Sequence, residues 1–412
     1  MPTPSQRSID AHSSPIRKLA AYADQAKKSG KKVWHLNIGQ PDILAPRQAL
    51  DAVKAAELDM LVYSPSGGTA SYRSKLPGYY KKYGISLASD HLLVTNGASE
   101  AILFTLLACL DAGESVLTPE PFYANYLGFA GMAGVDVKPL PTSIHSGFSL
   151  PTVDTFRQAI TPDVRAILLC NPNNPTGTVY PEAMLRALAE VVLEQDLFLI
   201  VDEVYREFCY GETPFFSALN LPGLEKHVVV IDSISKRFSA CGARVGAVVS
   251  RNAELLTAIQ KYAETRLSPP TYGQIFAEAT LDTPEQYFQT VKAEYQRRRD
   301  LLYRRLHALP DVVCYRPDGA FYVFAQFPVD DADRFCQWLL EDFSYQNQTV
   351  MLAPGSGFYQ TPGQGKQEVR LAYVLNCDDL NKAMDCLSIA LEQYPGRVEM
   401  QTQALDIAYS LS

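Results

Sequence analysis

The chain has 412 residues, of which 47% are hydrophobic, and a formal charge of -8 at pH 7. This length exceeds the roughly 100 to 200 residues of one ordinary domain, so we expect two or three domains with a large core. The acidic balance argues against a nucleic-acid surface, and the absence of a long apolar run argues against a membrane span or signal peptide, so we expect a cytoplasmic protein.

The N-terminal third begins with a predicted helix or helical arm over residues 8–30. Residues 33–38 are predicted as a strand that ends at Gly39, and residues 46–57 as a helix that begins with proline. Glycine at a strand end usually makes a turn, but it also lets a ligand carboxylate reach a bare backbone N–H. Both interpretations of Gly39 stay open at this point.

A glycine-rich loop at residues 63–69 precedes a helix that is predicted to extend to residue 83. Tyr63 lies in this loop, where a packed aromatic is the commoner interpretation. A strand at residues 91–95 is followed by Asn-Gly-Ala-Ser-Glu at 96–100 and an apolar helix at 101–110. A glycine turn that opens a helix directs free N–H groups toward an anion, although many such turns bind nothing.

Apolar strands then alternate with helices up to residue 232. The strands are predicted at 115–118, 135–140, 165–170, 197–201 and 228–232, and the helices at 153–160 and 181–195. Strands that are apolar throughout are typical of a parallel sheet buried on both faces. We therefore predict an α/β fold with a doubly wound, mostly parallel, seven-stranded sheet, whose ligands bind beyond the carboxyl ends of the strands.

Polar residues follow three of these strands directly, at 171–177, 202–205 and 233–236, so we expect them to face one crevice. Lys236 lies among small and hydroxyl residues, where partial desolvation would lower the pKa of its amine and make it a nucleophile that forms imines. Arg244, Ser233 and Ser235 add a cation and two hydroxyls that suit a phosphate. A solvated basic turn explains this stretch, taken alone, equally well.

The C-terminal part contains predicted helices at 253–266 and 273–281 and a long charged helix at about 285–309 that links two domains. Residues 312–395 alternate strands with two helices, which indicates a smaller α+β domain completed by both termini. The predicted division is residues 1–45 as an N-terminal arm and part of the small domain, 46–285 as the large domain, 286–395 as the small domain, and 396–412 as a tail. The eight scattered cysteines and six histidines predict reduced thiols and no metal site.

Eight blocks in chain order resemble the class I/II aminotransferases, which are fold type I enzymes that use pyridoxal 5'-phosphate. The resemblance covers roughly residues 14–393, and the order and separation of the blocks are far more specific than any block alone. The blocks are Gly-Gln-Pro-Asp at 39–42, Tyr63, residues 96–100, Asn-Pro-Asn-Asn-Pro-Thr-Gly at 171–177, Asp-Glu-Val-Tyr at 202–205, Ser-Ile-Ser-Lys at 233–236 with Arg244, Gly-Ala-Phe-Tyr at 319–322, and Val-Arg-Leu-Ala-Tyr at 369–373.

The resemblance implies three catalytic residues. Lys236 joins the cofactor aldehyde covalently and then moves the proton between the substrate α-carbon and the cofactor C4' atom. Asp202 faces the pyridine nitrogen and keeps it protonated. Tyr205 donates a hydrogen bond to the phenolic oxygen of the ring, together with Asn174.

The resemblance also implies the remaining contacts of cofactor and substrate. Tyr123 stacks on one face of the ring, with Phe122 as the alternative, and Val204 covers the other face. Arg370 binds the substrate α-carboxylate, assisted by the Gly39 N–H and Asn174. The phosphate group is bound by Gly97, Ala98, Ser99, Ser233, Ser235, Arg244, and by Tyr63 of a second subunit, which implies a homodimer with two shared sites.

Two positions that bear on substrate specificity differ from a known branch of the family. The prokaryotic-type aspartate branch often has a lysine where Ser99 stands and a small hydroxyl residue near Ile16, which we place at the substrate site. Both departures argue against strict dicarboxylate specificity, although Arg266 could serve as another cation. A tyrosine-rich entrance, formed by Tyr123, Tyr126, Tyr322 and Tyr373, would suit apolar or aromatic side chains or belong to the core.

The predicted activity is a ping-pong exchange of the amino group between an L-amino acid and a 2-oxo acid. Within the same fold, a β-elimination lyase of the C–S lyase type and a ring-closing synthase retain the cofactor contacts and stay as alternatives. A non-catalytic regulator that binds the cofactor needs a DNA-binding segment ahead of this domain, and the short N-terminal segment leaves no room for one. A nicotinamide-dependent dehydrogenase would need G-x-G-x-x-G after an early strand, which the sequence lacks.

Overall fold

The computed structural model describes residues 2–9, 11, 14 and 17–399. The strands are β1 Lys32–His35, β2 Leu92–Thr95, β3 Ser115–Glu120, β4 Asp136–Pro141, β5 Val164–Cys170, β6 Phe198–Asp202, β7 Val228–Ser233, β8 Gly246–Val249, β9 Val313–Cys314, β10 Tyr322–Gln326, β11 Gln348–Met351, β12 Ala353–Pro354 and β13 Glu368–Ala372.

The helices occupy both faces of the main sheet and the outside of a second lobe. They are α1 Gln6–Ile9, α2 Ala20–Lys28, α3 Arg47–Lys54, α4 Ala70–Lys81, α5 Ala98–Cys109, α6 Asn125–Ala133, α7 Val153–Ala159, α8 Glu182–Glu194, α9 Ile234–Arg237, α10 Ala253–Arg266, α11 Thr271–Thr280, α12 Glu285–His307, α13 Ala332–Glu341 and α14 Cys377–Gln393.

The central sheet has seven strands in the order β2-β8-β7-β6-β5-β3-β4. The pairs from β7 to β4 are parallel, whereas β8 is antiparallel to both of its neighbours. This arrangement confirms the predicted α/β class and the seven-stranded, mostly parallel sheet.

The strands are apolar throughout because each sheet face packs against a different hydrophobic core. Along β7, Val229 and Ile231 belong to the core under α5 and α10, and Val228 and Val230 belong to the core under α8 and α11. Successive side chains of a strand point to opposite faces, so a strand covered on both sides has no position for an exposed polar residue. Polar residues are therefore displaced to the strand ends.

The second lobe combines the N-terminal segment with the C-terminal third of the chain. Strand β1 pairs in parallel with β11, and a separate four-stranded sheet has the order β12-β13-β10-β9. The core that underlies α5 and α10 continues into this lobe through Phe321, Val323 and Leu371. One apolar cluster therefore extends from the central sheet into the second lobe.

Several element predictions need correction. The helix expected over residues 8–30 is helical only at α1 and α2 in its described part, because the residue before Pro15 is disfavoured in the helical region. Helix α6 and strand β8 were not predicted, because short elements next to glycine and tyrosine turns show little periodicity. Ile16 and most of the predicted tail, residues 400–412, lie outside the described residues.

None of the helices in the described ranges is long and apolar enough to cross a bilayer. Within those same ranges, no three His, Cys, Asp or Glu side chains come together as metal ligands would. All eight cysteines are free thiols.

Candidate active site

A cleft of about 500 Å³ opens between the central sheet and the second lobe. The last residues of three parallel strands line it, namely Cys170 of β5, Asp202 of β6 and Ser233 of β7. The polar segments that follow these strands thus share one crevice, as expected for the carboxyl edge of a parallel sheet.

Of the predicted site residues that the structure describes, all but two line this cleft. The two are Gly97, which is not among the lining residues, and Tyr63, which is 76% exposed and does not line the cleft of its own chain. Ile16 lies outside the described residues. The predicted residues that line the cleft are Gly39, Ala98, Ser99, Tyr123, Asn174, Asp202, Val204, Tyr205, Ser233, Ser235, Lys236, Arg244 and Arg370.

Lys236 lies in the short helix α9, directly after β7, with its side chain in the cleft. Its ammonium Nζ donates a hydrogen bond to the Gly39 carbonyl oxygen at 2.9 Å. No carboxylate of the described residues lies within ion-pair distance, and burial lowers the pKa of the ammonium below its ordinary value. A partly buried amine without a counterion loses its proton more easily, which is what a nucleophilic lysine requires.

Asp202, at the end of β6, is a buried carboxylate that has neutral hydrogen-bond donors but no cation in contact. The Tyr126 hydroxyl donates to its Oδ2 atom at 3.0 Å, and the Val204 N–H donates to Oδ1 at 3.3 Å. Burial raises the pKa of the Asp202 carboxyl to about 6. A protonated nitrogen placed beside it would supply the missing positive charge.

Arg370, on β13, brings a buried guanidinium from the second lobe to the cleft. It donates to the Asn174 side-chain oxygen at 2.9 Å and to the Asn37 carbonyl at 2.5 Å, and it lies 4.4 Å from the centre of the Tyr322 ring. Its Nε has no hydrogen-bond partner, and no carboxylate of the described chain pairs with it. The positive charge is therefore available to an anion from the cleft.

The first turn of α5 has unsatisfied N–H groups that face the cleft lining. Gly97 precedes this helix with φ +76°, and no side chain caps the helix, so the N–H groups of Ala98 and Ser99 have no acceptor within the described protein. Arg244 lies beside them and donates to the carbonyls of Cys241 and Asn96. A Cβ atom on Gly97 would lie 2.4 Å from an Arg244 nitrogen, so glycine permits this approach.

The two predicted serines of this site are partly engaged with each other. The Ser233 and Ser235 hydroxyl oxygens are 2.8 Å apart, and Ser233 Oγ accepts the Ser235 N–H at 3.1 Å as the N-cap of α9. Both line the cleft. Their hydroxyl groups therefore position the turn that carries Lys236.

The predicted aromatic residues differ in whether they line the cleft. Tyr123 lines the cleft, whereas Phe122, the alternative to it, is buried and does not. Tyr373 is also absent from the lining, and its hydroxyl donates to the Ala320 carbonyl at 3.2 Å. Of the predicted entrance tyrosines, Tyr123 and Tyr322 line the cleft, whereas Tyr126 and Tyr373 are buried core residues outside its lining.

Sequence reasoning gave no individual role to Tyr126 and Tyr322, which contact the predicted catalytic residues directly. Tyr126 donates to Asp202, and the hydroxyl oxygens of Tyr322 and Tyr205 are 2.9 Å apart. In the sequence, Tyr126 is marked only by its position three residues after Tyr123. Its place in the first turn of α6, which begins at Asn125, becomes known only from the structure. Arg17 and Gln40 also line the cleft without having been predicted.

The sequence matches the family described as aminotransferase class I and II over residues 31–385. An aspartate aminotransferase of Bacillus subtilis is 28% identical over 387 residues, 91% of this chain and 95% of that protein. Aromatic-amino-acid aminotransferase 2 of Thermococcus litoralis is 30% identical over 391 residues, 92% of this chain and 96% of that protein.

Solved structures show the same similarity. The aspartate aminotransferase of Thermus thermophilus with maleate superposes with a TM-score of 0.86 and 29% identity, covering 95% of this chain and all of that chain. An alanine aminotransferase of Pyrococcus furiosus also gives a TM-score of 0.86, with 28% identity, 95% of this chain and all of that chain.

Proposed function

This chain belongs to the class I and II aminotransferases, and from that premise we propose that it binds pyridoxal 5'-phosphate through Lys236 and exchanges an amino group between an L-amino acid and a 2-oxo acid. The exchange is ping-pong: the amino acid leaves its amino group at the site and departs as a 2-oxo acid, and a second 2-oxo acid then receives that group. The observation that carries the proposal is the half-buried Lys236 amine, which lines the cleft and has no carboxylate of the described residues within ion-pair distance.

The residues present fit this cofactor. When bound, pyridoxal phosphate supplies an electron-withdrawing ring that stabilises negative charge at the substrate α-carbon. Asp202, a buried carboxylate without a cation, suits the protonated ring nitrogen. The uncapped first turn of α5 and the neighbouring Arg244 suit the phosphate group. The groups that suit the ring nitrogen, the phosphate and the aldehyde of the cofactor thus line one cleft.

The remaining residues orient the reactants. We propose that Tyr205 and Asn174 bind the phenolic oxygen of the ring, and that Tyr123 and Val204 cover its two faces. With the cofactor bound, the Lys236 amine would move a proton from the substrate α-carbon to the cofactor C4' atom.

The substrate α-carboxylate is proposed to bind the Arg370 guanidinium, with the Gly39 N–H as a second donor. The side-chain oxygen of Asn174 accepts from Arg370, which leaves the Asn174 amide group free to donate to a ligand. The relatives are named for aspartate, alanine and aromatic amino acids, so they support the reaction class and do not single out one side chain. These names do not favour the elimination lyase.

We further propose a homodimer in which Tyr63 reaches the phosphate group of the partner site. Met60, Leu61, Val62 and Tyr63 are 74%, 65%, 65% and 76% exposed, which makes a contiguous apolar strip. Such a strip is typical of a protein interface. The division into a large domain of residues 46–285 and a small domain of 286–395, with the N-terminal 45 residues joining the small domain, stays a prediction.

The test is chemical trapping of the cofactor. Protein incubated with pyridoxal phosphate and then reduced with borohydride should gain one phosphopyridoxyl group per chain, and peptide mass spectrometry should find it on Lys236. Lys236→Ala should lose the label and lower turnover by at least about 10⁴-fold, since attachment and proton transfer both fail. Lys226→Ala, an exposed lysine outside the cleft, is the matched control.

Two results would contradict the proposal. The first is labelling of another lysine, or none, in the folded protein. The second is continued release of ammonia and pyruvate from an amino acid supplied alone, which is the behaviour of a β-elimination lyase. An aminotransferase under the same conditions yields one equivalent of 2-oxo acid and stops.

A further inference from the structure

Two buried tyrosines join the lobes at the centre of the cleft. Tyr205 lies in the turn after β6 of the central sheet, and Tyr322 begins β10 of the second lobe. Their hydroxyl oxygens are 2.9 Å apart, and the planes of the two rings are nearly perpendicular, at 83°. These residues are 117 positions apart in sequence, so the contact exists only in the folded chain.

The direction of this hydrogen bond follows from the number of protons. Each phenol has one proton to donate. If Tyr205 donates its proton to the phenolic oxygen of the cofactor, then Tyr205 can only accept from Tyr322. The result is a chain in which Tyr322 donates to Tyr205 and Tyr205 donates to the ligand, and such chains strengthen the terminal hydrogen bond.

The position of the Tyr322 hydroxyl is tightly constrained. A Cβ atom on Gly39 would lie 1.8 Å from it, so the bare backbone of Gly39 is what makes room. The Gly39 carbonyl accepts from Lys236 at 2.9 Å, and the Arg370 guanidinium lies 4.4 Å from the Tyr322 ring centre. Tyr322 therefore contacts both Tyr205, which we propose binds the cofactor, and Arg370, which we propose binds the substrate.

We propose that Tyr322 is a positioning residue which, by donating to Tyr205, strengthens the hydrogen bond to the cofactor phenolic oxygen and so lowers the pH at which the Lys236–cofactor linkage loses its proton. This inference rests on the proposed function and extends it to a residue with no assigned role. The physical reason is that a stronger donor favours the more negative phenolic oxygen, which is the form present after the proton leaves.

The test is a pH titration of the visible absorbance of the cofactor-loaded protein. Tyr322→Phe keeps the ring beneath Arg370 and removes only the hydroxyl group. The absorbance midpoint should rise by about half a pH unit to one unit, the size expected for weakening one hydrogen bond. Tyr210→Phe should not move it, because the Tyr210 hydroxyl donates to the Ala320 carbonyl at 2.7 Å, outside the cleft lining.

A double variant tests whether Tyr322 acts through its hydrogen bond to Tyr205. Tyr205→Phe alone should raise the midpoint, and adding Tyr322→Phe should then have no further effect. A second shift when Tyr322→Phe is added to Tyr205→Phe would overturn the route through Tyr205, and an unchanged midpoint in Tyr322→Phe alone would overturn the inference while the proposed function stands. Protein that takes up no cofactor would overturn both. The thermal midpoint of each cofactor-free variant checks folding independently.

Discussion

Asp202 and Asp232 lie at the carboxyl ends of two adjacent parallel strands, where Asp202 of β6 is in register with Ile231 of β7. Both carboxylates are buried, and only one backbone step separates their positions along the sheet edge. Their surroundings nevertheless have opposite electrostatic character, and this difference separates structural charges from charges that serve a ligand.

Asp232 faces a closed ionic cluster on the side of the sheet away from the cleft. It accepts from Arg237, from Arg206 at 3.3 Å and from the Tyr80 hydroxyl at 2.6 Å. Burial alone would raise the pKa of this carboxyl, but the two arginines hold it well below its ordinary range. The arginines also pair with Glu203 and Glu207, so their charge is used within the protein.

Asp202 has no such partner, and its pKa is raised to about 6 by burial. The buried Arg370 shows the same contrast with Arg206 and Arg237, because it donates only to a carbonyl and an amide oxygen. A buried charge is costly unless it is compensated. Asp202 and Arg370 are buried without a counterion among the described residues, and both line the cleft, where a ligand of opposite charge could reach them.

The sharpest test of this comparison replaces each aspartate with asparagine. In Asp202→Asn, kcat should fall by about 10²- to 10⁴-fold, because a neutral amide no longer keeps the ring nitrogen protonated. The unfolding free energy of the cofactor-free protein at pH 7 should be unchanged or higher, since a poorly solvated charge has been removed. Steady-state kinetics and urea unfolding measure the two quantities.

Asp232→Asn should give the opposite result. Arg206 and Arg237 would each lose a buried counterion, which costs about 3–5 kcal/mol of unfolding free energy. Urea unfolding of the cofactor-free protein measures this loss. If Asp232→Asn were as stable as the wild type, the Asp232 carboxylate would not have the structural role that its ion pairs indicate.

A smaller effect is expected at Arg370. Arg370→Ala should raise KM for the amino acid by about 10²-fold through loss of a charge-assisted pair with the α-carboxylate. The affinity for pyridoxal phosphate, measured by fluorescence titration, should change by only a few fold. Weakened cofactor binding with an unchanged KM would remove Arg370 from the substrate site.

The smallest expected effect is a pH dependence of opposite sign for the two aspartates. A carboxyl whose pKa is raised on folding contributes stability below its unfolded pKa, and that contribution is lost as pH rises through the folded pKa. The unfolding free energy of the wild type relative to Asp202→Asn should therefore fall between about pH 4 and pH 6. Relative to Asp232→Asn, it should instead decline only as the pH falls below about 4. Parallel curves would show that neither pKa is shifted.

Much of the fold was predictable because hydrophobic periodicity is a local property. Strands β5, β6 and β7 were placed to within a residue or two, and α10 matched its predicted bounds of 253–266. The misses were short elements such as β8 and α6, where tertiary packing decides the conformation. The cleft residues were identified through spaced motifs that resemble a known family, while their roles stay predictions.

The sequence by itself determined the alternation of buried strands and helices, the polar segments at strand ends, and Lys236 as the candidate amine, because these depend on neighbours along the chain. Only the tertiary structure decided which buried charges are compensated and which are not. Asp232 meets Arg206 across 26 positions, and Tyr205 meets Tyr322 across 117. Electrostatic energy depends on distances in space and on exclusion of water, and neither is encoded in the spacing of residues along the chain.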